Sequence, residues 1–240
     1  MFQGKRVVIF VMDGTLIDSV GVWNEVDKEL VRRIGGGEQD GDALQHQRDE
    51  ILRRYAADSD PYGKYCQYLK AEYGAEQSAE DIYSLRYSIA QHYLINVVDY
   101  KPGAELFLRE LRARGFRLSV ATTTRRRTVD IYRTRNRNIL GKAPIDEFFS
   151  PVYAREDVSR MKPDPEVYFR VMSETGAAPE ECLIFEDSLI GIESAKNAGI
   201  QAAAVYDRYS DGERAEINRL ADWRIDDYAQ ALEMLRAEVG

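Results

Sequence analysis

Four short stretches of this 240-residue chain bring together carboxylates, hydroxyls and a lysine beside strand-like runs. The first is Val11-Met12-Asp13-Gly14-Thr15, which ends the apolar and β-branched run Val7 to Phe10. A fully buried parallel strand that delivers a carboxylate to its C-terminal edge has this form. Thr122, with Thr123 beside it, follows Leu118-Ser119-Val120-Ala121, and Lys162 sits in Met161-Lys162-Pro163-Asp164-Pro165. Glu186-Asp187 closes Leu183-Ile184-Phe185. Phosphoryl transfer needs charge neutralisation on the equatorial oxygens, an in-line nucleophile and a proton for the leaving oxygen, and these residue types can supply such groups. Each stretch also has a plain structural reading. Asp13-Gly14 can be a tight turn, Thr122 a helix cap, Lys162 a solvated charge, and Glu186-Asp187 a helix start that complements the dipole.

The elements that must position these groups read as alternating strands and helices. Val22, Trp23, Val26, Leu30 and Ile34 recur at helical spacing after Asp13, and Gly35-Gly36-Gly37 ends that helix. Three more helical patterns follow, Leu44 to Tyr55, Tyr62 to Tyr73 and Ile82 to Tyr93, the last preceded by Ser78 and Asp81 as a capping pair. Lys101-Pro102-Gly103 restarts the α/β alternation, with Pro102 in a first helical turn and Leu106, Phe107 and Leu111 on one face. Strands are expected at Phe116 to Ala121, Ser150 to Tyr153, Cys182 to Phe185, Ala202 to Val205 and Trp223 to Ile225. A basic helix-like segment from Arg125 to Arg137 follows Thr122, either near an anion site or as a solvated face. The fold class is therefore α/β: a Rossmann-like parallel sheet core, residues 1–17 and 98–240, with an inserted all-helical cap, residues 18–97.

In order and context the four stretches resemble the motifs of the haloacid dehalogenase (HAD) superfamily, and the resemblance covers essentially the whole chain. A helical insertion directly after the first motif resembles the C1-type cap of that superfamily. The first motif there reads Asp-x-Asp-Gly-Thr, so Val11 stands where the family has its nucleophile and a magnesium ligand. The resemblance implies Asp13 as general acid/base whose backbone carbonyl also ligates Mg²⁺, and Thr122, Thr123 and Lys162 as substrate-binding groups. It further implies Glu186 and Asp187 as magnesium-holding acids. An acid at Asp13 argues for phosphate chemistry over carbon–halogen cleavage, and a phosphatase for a small phosphorylated metabolite is the expected ancestral activity. A natural pseudo-phosphatase that binds a ligand, a phosphosugar mutase and a pure interaction module are the alternatives. Valine can neither attack phosphorus nor ligate a metal, so the chain as written is expected to be nearly inactive.

Composition bounds the partners. A net charge of −8 and a pI near 5.0 argue against nucleic acid or an anionic membrane, and no segment approaches the length of a membrane helix. Cys66 and Cys182 read as buried reduced thiols, which fits a cytoplasmic compartment, while the choice between monomer and dimer stays open. Nine of the fifteen tyrosines fall between Tyr55 and Tyr100, with Tyr62, Tyr65 and Tyr68 as candidates to face a substrate cleft. His46 and His92 lack metal-ligand spacing and read as ordinary cap residues.

Overall fold

A computed structural model describes residues 1–55, 58 and 60–238. It divides into two compact units, Met1–Ser19 with Val98–Gly240, and Val20–Val97.

The first unit is a parallel sheet flanked by helices. Its strands are β1 (Val7–Phe10), β2 (Arg117–Ala121), β3 (Val152–Tyr153), β4 (Cys182–Glu186), β5 (Gln201–Val205) and β6 (Trp223–Ile225), in spatial order β3-β2-β1-β4-β5-β6. β1 lies inside because it is apolar on both faces: Val8, Ile9 and Phe10 are fully buried. Phe10 stacks on Phe185 of β4 at 5.0 Å between ring centroids. Phe10 is level with Val120 of β2 and with Phe185 of β4, so the residues just beyond them emerge on one sheet edge. Val11, Thr122 and Glu186-Asp187 share that edge for this reason.

Two local expectations differ from what the chain does. Ala104 N donates to Lys101 O at 3.0 Å, with Pro102 and Gly103 as the central pair and Gly103 at φ 80°. This is a type II turn ahead of the next helix, α5 (Ala104–Ala113), so Pro102 precedes the helix rather than entering its first turn. The buried face of α5 is Ala104, Phe107, Leu108 and Leu111, at i, i+3, i+4 and i+7, which leaves Leu106 56% exposed. The basic segment is also broken in two, Arg126–Thr134 and Arg137–Lys142. Asn136 causes the break: its side chain accepts Ile139 N at 2.8 Å as a cap and donates to Val98 O at 2.9 Å.

The second unit contains α1 (Val20–Arg33), α2 (Gly41–Arg54), α3 (Pro61–Tyr73) and α4 (Ala79–Asn96). Ser78 and Asp81 form the expected capping box, and Gly74 closes α3 in the left-handed region at φ 62°. Its interior is built on an ion cluster rather than on apolar contacts alone. Asp27 is fully buried and accepts Arg48 Nη1 at 2.6 Å and Arg86 Nε at 2.6 Å. The Arg86 guanidinium lies 4.8 Å from the Trp23 ring and 5.3 Å from that of Tyr62. Tyr65 is fully buried, with the Arg86 guanidinium 5.9 Å from its ring. Both cysteines are free and buried. Among the described residues no helix is long and apolar enough to cross a membrane.

Asp27→Ala should leave two guanidinium groups buried without their carboxylate. The expected loss is about 3–5 kcal/mol of unfolding free energy, measurable by urea denaturation of the full chain.

Candidate active site

Asp13 follows β1 in a loop that only glycine can complete. Gly14 takes φ +76°, and a Cβ there would lie 2.4 Å from Asp187 Oδ2, so the backbone itself packs against the second acidic site. The Asp13 carboxylate is enclosed by hydroxyl donors. Oδ1 accepts Ser19 Oγ at 2.5 Å and the Tyr132 hydroxyl at 3.2 Å, and Oδ2 accepts Thr124 Oγ1. Thr122 Oγ1 donates to Thr124 Oγ1 at 3.0 Å and accepts Thr124 N at 3.1 Å. A hydroxyl chain thus runs from Thr122 through Thr124 to Asp13. Burial first, then the neighbouring Asp13, pushes the Tyr132 phenol well above its ordinary range, so Tyr132 stays a neutral donor. Thr123, by contrast, is exposed and stands outside this chain.

The lysine and the acidic pair form a second, drier cluster. Lys162 Nζ donates to Glu186 Oε2 at 2.9 Å, with 4% and 1% of the two side chains exposed. Burial alone would discharge the lysine, but Glu186 and Tyr168 outweigh it and hold Lys162 above its ordinary pKa. The Tyr168 ring lies 5.2 Å beneath the ammonium, and burial pushes its phenol up to about 12. Glu186 Oε1 accepts Ser188 Oγ at 2.6 Å and Ser188 N at 3.0 Å, folding back onto the start of the helix Leu189–Asn197. A Cβ on Gly191 would meet the Glu186 carboxyl at 2.0 Å, so glycine there is a steric requirement. Asp187 Oδ1 accepts Thr15 Oγ1 at 2.5 Å. Burial first, and the Glu186 charge second, pushes the Asp187 carboxyl up to about 8.

The structure therefore joins Asp13 to Thr122 through Thr124, Asp187 to the Gly14-Thr15 turn, and Lys162 to Glu186. Val11 is 7% exposed between the two clusters, its amide donating to Phe185 O at 3.1 Å. Ser19, Thr124, Tyr132, Thr15 and Tyr168 are site residues that sequence reasoning passed over. Thr15 closes the first of the four stretches and Thr124 lies two residues past Thr122, whereas Tyr132 and Tyr168 carry only the signal of helix-face aromatics. Of the basic cluster, Arg126 pairs with Asp157 and its amide donates to Glu156, so its charge is spent locally.

These side chains fit a divalent ion poorly. Among the described residues no group of three or more His, Cys, Asp or Glu side chains is gathered as a metal site. Magnesium demands near-octahedral oxygen ligation that includes carboxylates. Glu186 is taken by Lys162 and Ser188, position 11 offers an isopropyl group, and with both carboxylate oxygens of Asp13 taken by hydroxyls that residue has only its backbone carbonyl to offer. Asp187 Oδ2 alone among these carboxylate oxygens has no donor among the described residues.

Residues 8–205 match the family model described as haloacid dehalogenase-like hydrolase. The protein CbbY of Rhodobacter capsulatus is 30% identical over 233 residues, covering 94% of this chain and 95% of that protein. A phosphorylated carbohydrates phosphatase of Thermotoga maritima is 25% identical over 196 residues, 82% of each chain. A solved structure of a candidate β-phosphoglucomutase from Thermotoga maritima superposes with a TM-score of 0.78 at 24% identity, covering 98% of this chain and all of the other, a likeness of fold.

The Asp187 carboxyl binds its proton up to about pH 8 in the folded chain, against 3.8 for an ordinary aspartate. Between those values the folded state holds more protons than the unfolded one, so stability falls as pH rises through the window. Asp187→Asn keeps the Thr15 bond and cannot ionise. In metal-free buffer the variant should be more stable than the parent by about 1–3 kcal/mol at pH 8 and nearly equal at pH 4, checked by urea unfolding across that range.

Proposed function

The chain belongs to the haloacid dehalogenase-like hydrolases, and on that basis we propose that its core site is that of a phosphatase for small phosphorylated sugars, arrested at the nucleophile position. One observation carries the reading: Asp13, Thr122, Lys162 and Glu186-Asp187 come from separate parts of the chain and meet at one sheet edge. A solvated turn, a helix cap and a surface lysine would have no reason to converge there.

In this reading the Lys162 ammonium and the Thr122 hydroxyl hold the phosphate oxygens. Thr122 can turn its proton toward an anion by giving up one neutral hydrogen bond, that to Thr124, a net cost of about 1 kcal/mol. Asp13 is the group placed to exchange a proton with the leaving oxygen, and its three hydroxyl donors fix its orientation. The family's attack on phosphorus would form an aspartyl-phosphate at position 11, where Val11 offers no nucleophile. Family phosphatases generally use magnesium, but the side chains of this chain do not suit it. The chain as written is then a phosphate-ester binder that does not turn its ligand over. Loss of a nucleophile from a cooperating set costs on the order of 10⁶-fold in rate.

Val11→Asp should create magnesium-dependent hydrolysis of sugar phosphates, raising the rate by several orders of magnitude, up to about 10⁶-fold. It should also lower metal-free stability by about 1–3 kcal/mol through repulsion with Asp13, Glu186 and Asp187, and magnesium should return much of that. A panel of phosphate esters and melting curves with and without magnesium test both effects. A folded Val11→Asp chain that hydrolyses none of the panel and gains no magnesium-dependent stability would sink the reading.

A further inference from the structure

We propose that Tyr168 is a positioning residue for Lys162: its buried, unbonded hydroxyl receives one N–H of the ammonium when the lysine takes hold of a tetrahedral oxyanion. The proposal rests on the phosphatase reading above and says how that site grips its anion.

Tyr168 stands in the first turn of the helix Glu166–Thr175, its amide donating to Pro165 O at 2.9 Å. Its body packs in the apolar cluster of Val7, Ile9, Ile184 and Ile192. Lys162 leaves the chain only six residues earlier, and the turn between the two is bound to the helix Leu189–Asn197. Asn197 Nδ2 donates to Pro163 O at 2.9 Å, and Ser194 Oγ donates to Asp164 O at 3.0 Å. The backbone beneath both side chains is thereby fixed.

A tyrosine at this position carries a cost that phenylalanine would avoid. Its hydroxyl oxygen is buried and has no hydrogen-bond partner among the described residues, so folding takes its water away without a replacement. Packing explains the ring and leaves the oxygen unexplained. That oxygen belongs to the charged end of the residue's surroundings. Burial pushes the phenol up, Lys162 opposes this, and Glu186 and Asp187 add to it, so the charges that bear on it are those of the site.

The lysine has the matching deficit. Of the three N–H groups of an ammonium, Glu186 Oε2 accepts one at 2.9 Å, and the other two have no acceptor among the described residues. The ammonium lies over the Tyr168 ring, 5.2 Å from its centroid, and does not meet the hydroxyl in hydrogen-bond geometry. The ring face holds the cation at rest, and a short advance toward the oxygen gives it a second acceptor. An anion oxygen is then the third. With Glu186, Tyr168 and the anion each taking one N–H, the ammonium has a single orientation. Its freedom is removed by the protein rather than by the ligand, which tightens the grip on an oxyanion without a further charge.

The test is a ¹H–¹⁵N NMR titration of the full chain as written, and of its Tyr168→Phe variant, with inorganic phosphate, read at the amides of Thr122 and Lys162. Tyr168→Phe should bind phosphate about tenfold more weakly. Its melting midpoint should equal the parent's or exceed it by about 2–4 °C, because the unbonded oxygen is gone. A packing role alone would leave the affinity unmoved. In the parent, labelled at tyrosine ¹³Cζ, the Tyr168 resonance should shift with the same phosphate dependence as the Thr122 and Lys162 amides. Equal phosphate affinity in the two folded chains, or a Tyr168 resonance that stays fixed while Thr122 and Lys162 move, would overturn the proposal and leave the phosphatase reading standing. Thr122 and Lys162 amides unmoved by phosphate up to about 50 mM would overturn both.

Discussion

A lysine cut off from water underlies the site. Lys162 and Glu186 lie in segments far apart in the chain, and each would be costly to bury without the other. Their pairing binds the loop before the helix Glu166–Thr175 to the end of β4. It also aims Glu186. With one oxygen held by the ammonium, the other accepts the Asp187 and Ser188 amides and the Ser188 hydroxyl just ahead of the helix Leu189–Asn197, where a negative charge complements the helix dipole. That placement leaves room for no side chain at position 191, and it sets the charge that Asp187 feels next door. One ion pair thus orders a loop, a helix start and the ionisation of a neighbouring acid.

The two aspartates of the edge live in opposite surroundings. Asp13 is held by three side-chain hydroxyls, which can reorient and pass protons. Asp187 is pressed on the Gly14 backbone beside another carboxylate, with one hydroxyl bond. Environments that separate two like groups in this way are a means of giving them different roles. Val11 stands between them as the one apolar member of the set.

Much of this was legible in the sequence because it is local or periodic. The buried run Val7 to Phe10, the Ser78–Asp81 capping box and the helical insertion follow from patterns that neighbouring residues impose on one another. Leu106 was misplaced because three leucine-like positions in a short helix fit two faces, and only packing against the sheet selects Ala104, Phe107, Leu108 and Leu111. Asn136 gives no sign in the sequence of ending a helix, because its place is fixed by a bond to Val98 O, remote in sequence. In the site, residue types were visible but partnerships were not. No spacing rule joins Tyr132 to Asp13 or Tyr168 to Lys162, since each pair is created by the sheet and its crossovers.

The position of β1 has a consequence for how the chain is born. It precedes the other five strands of the described sheet, is buried on both faces, and pairs with β2 and β4, so Val7 must wait for Arg117 and then Cys182. At typical elongation rates that interval is on the order of ten to thirty seconds. Throughout it a bare apolar strand with two open edges hangs from the nascent chain, a template for pairing with the wrong partner. The four helices that follow β1 pack on one another, α1 on α2 and α4 and α3 on α2 and α4, and such local contacts can form during the wait. A ribosome making this protein thus finishes the insertion before the domain that hosts it, and the yield of the whole hinges on keeping Val7–Phe10 solitary until Cys182–Glu186 arrives.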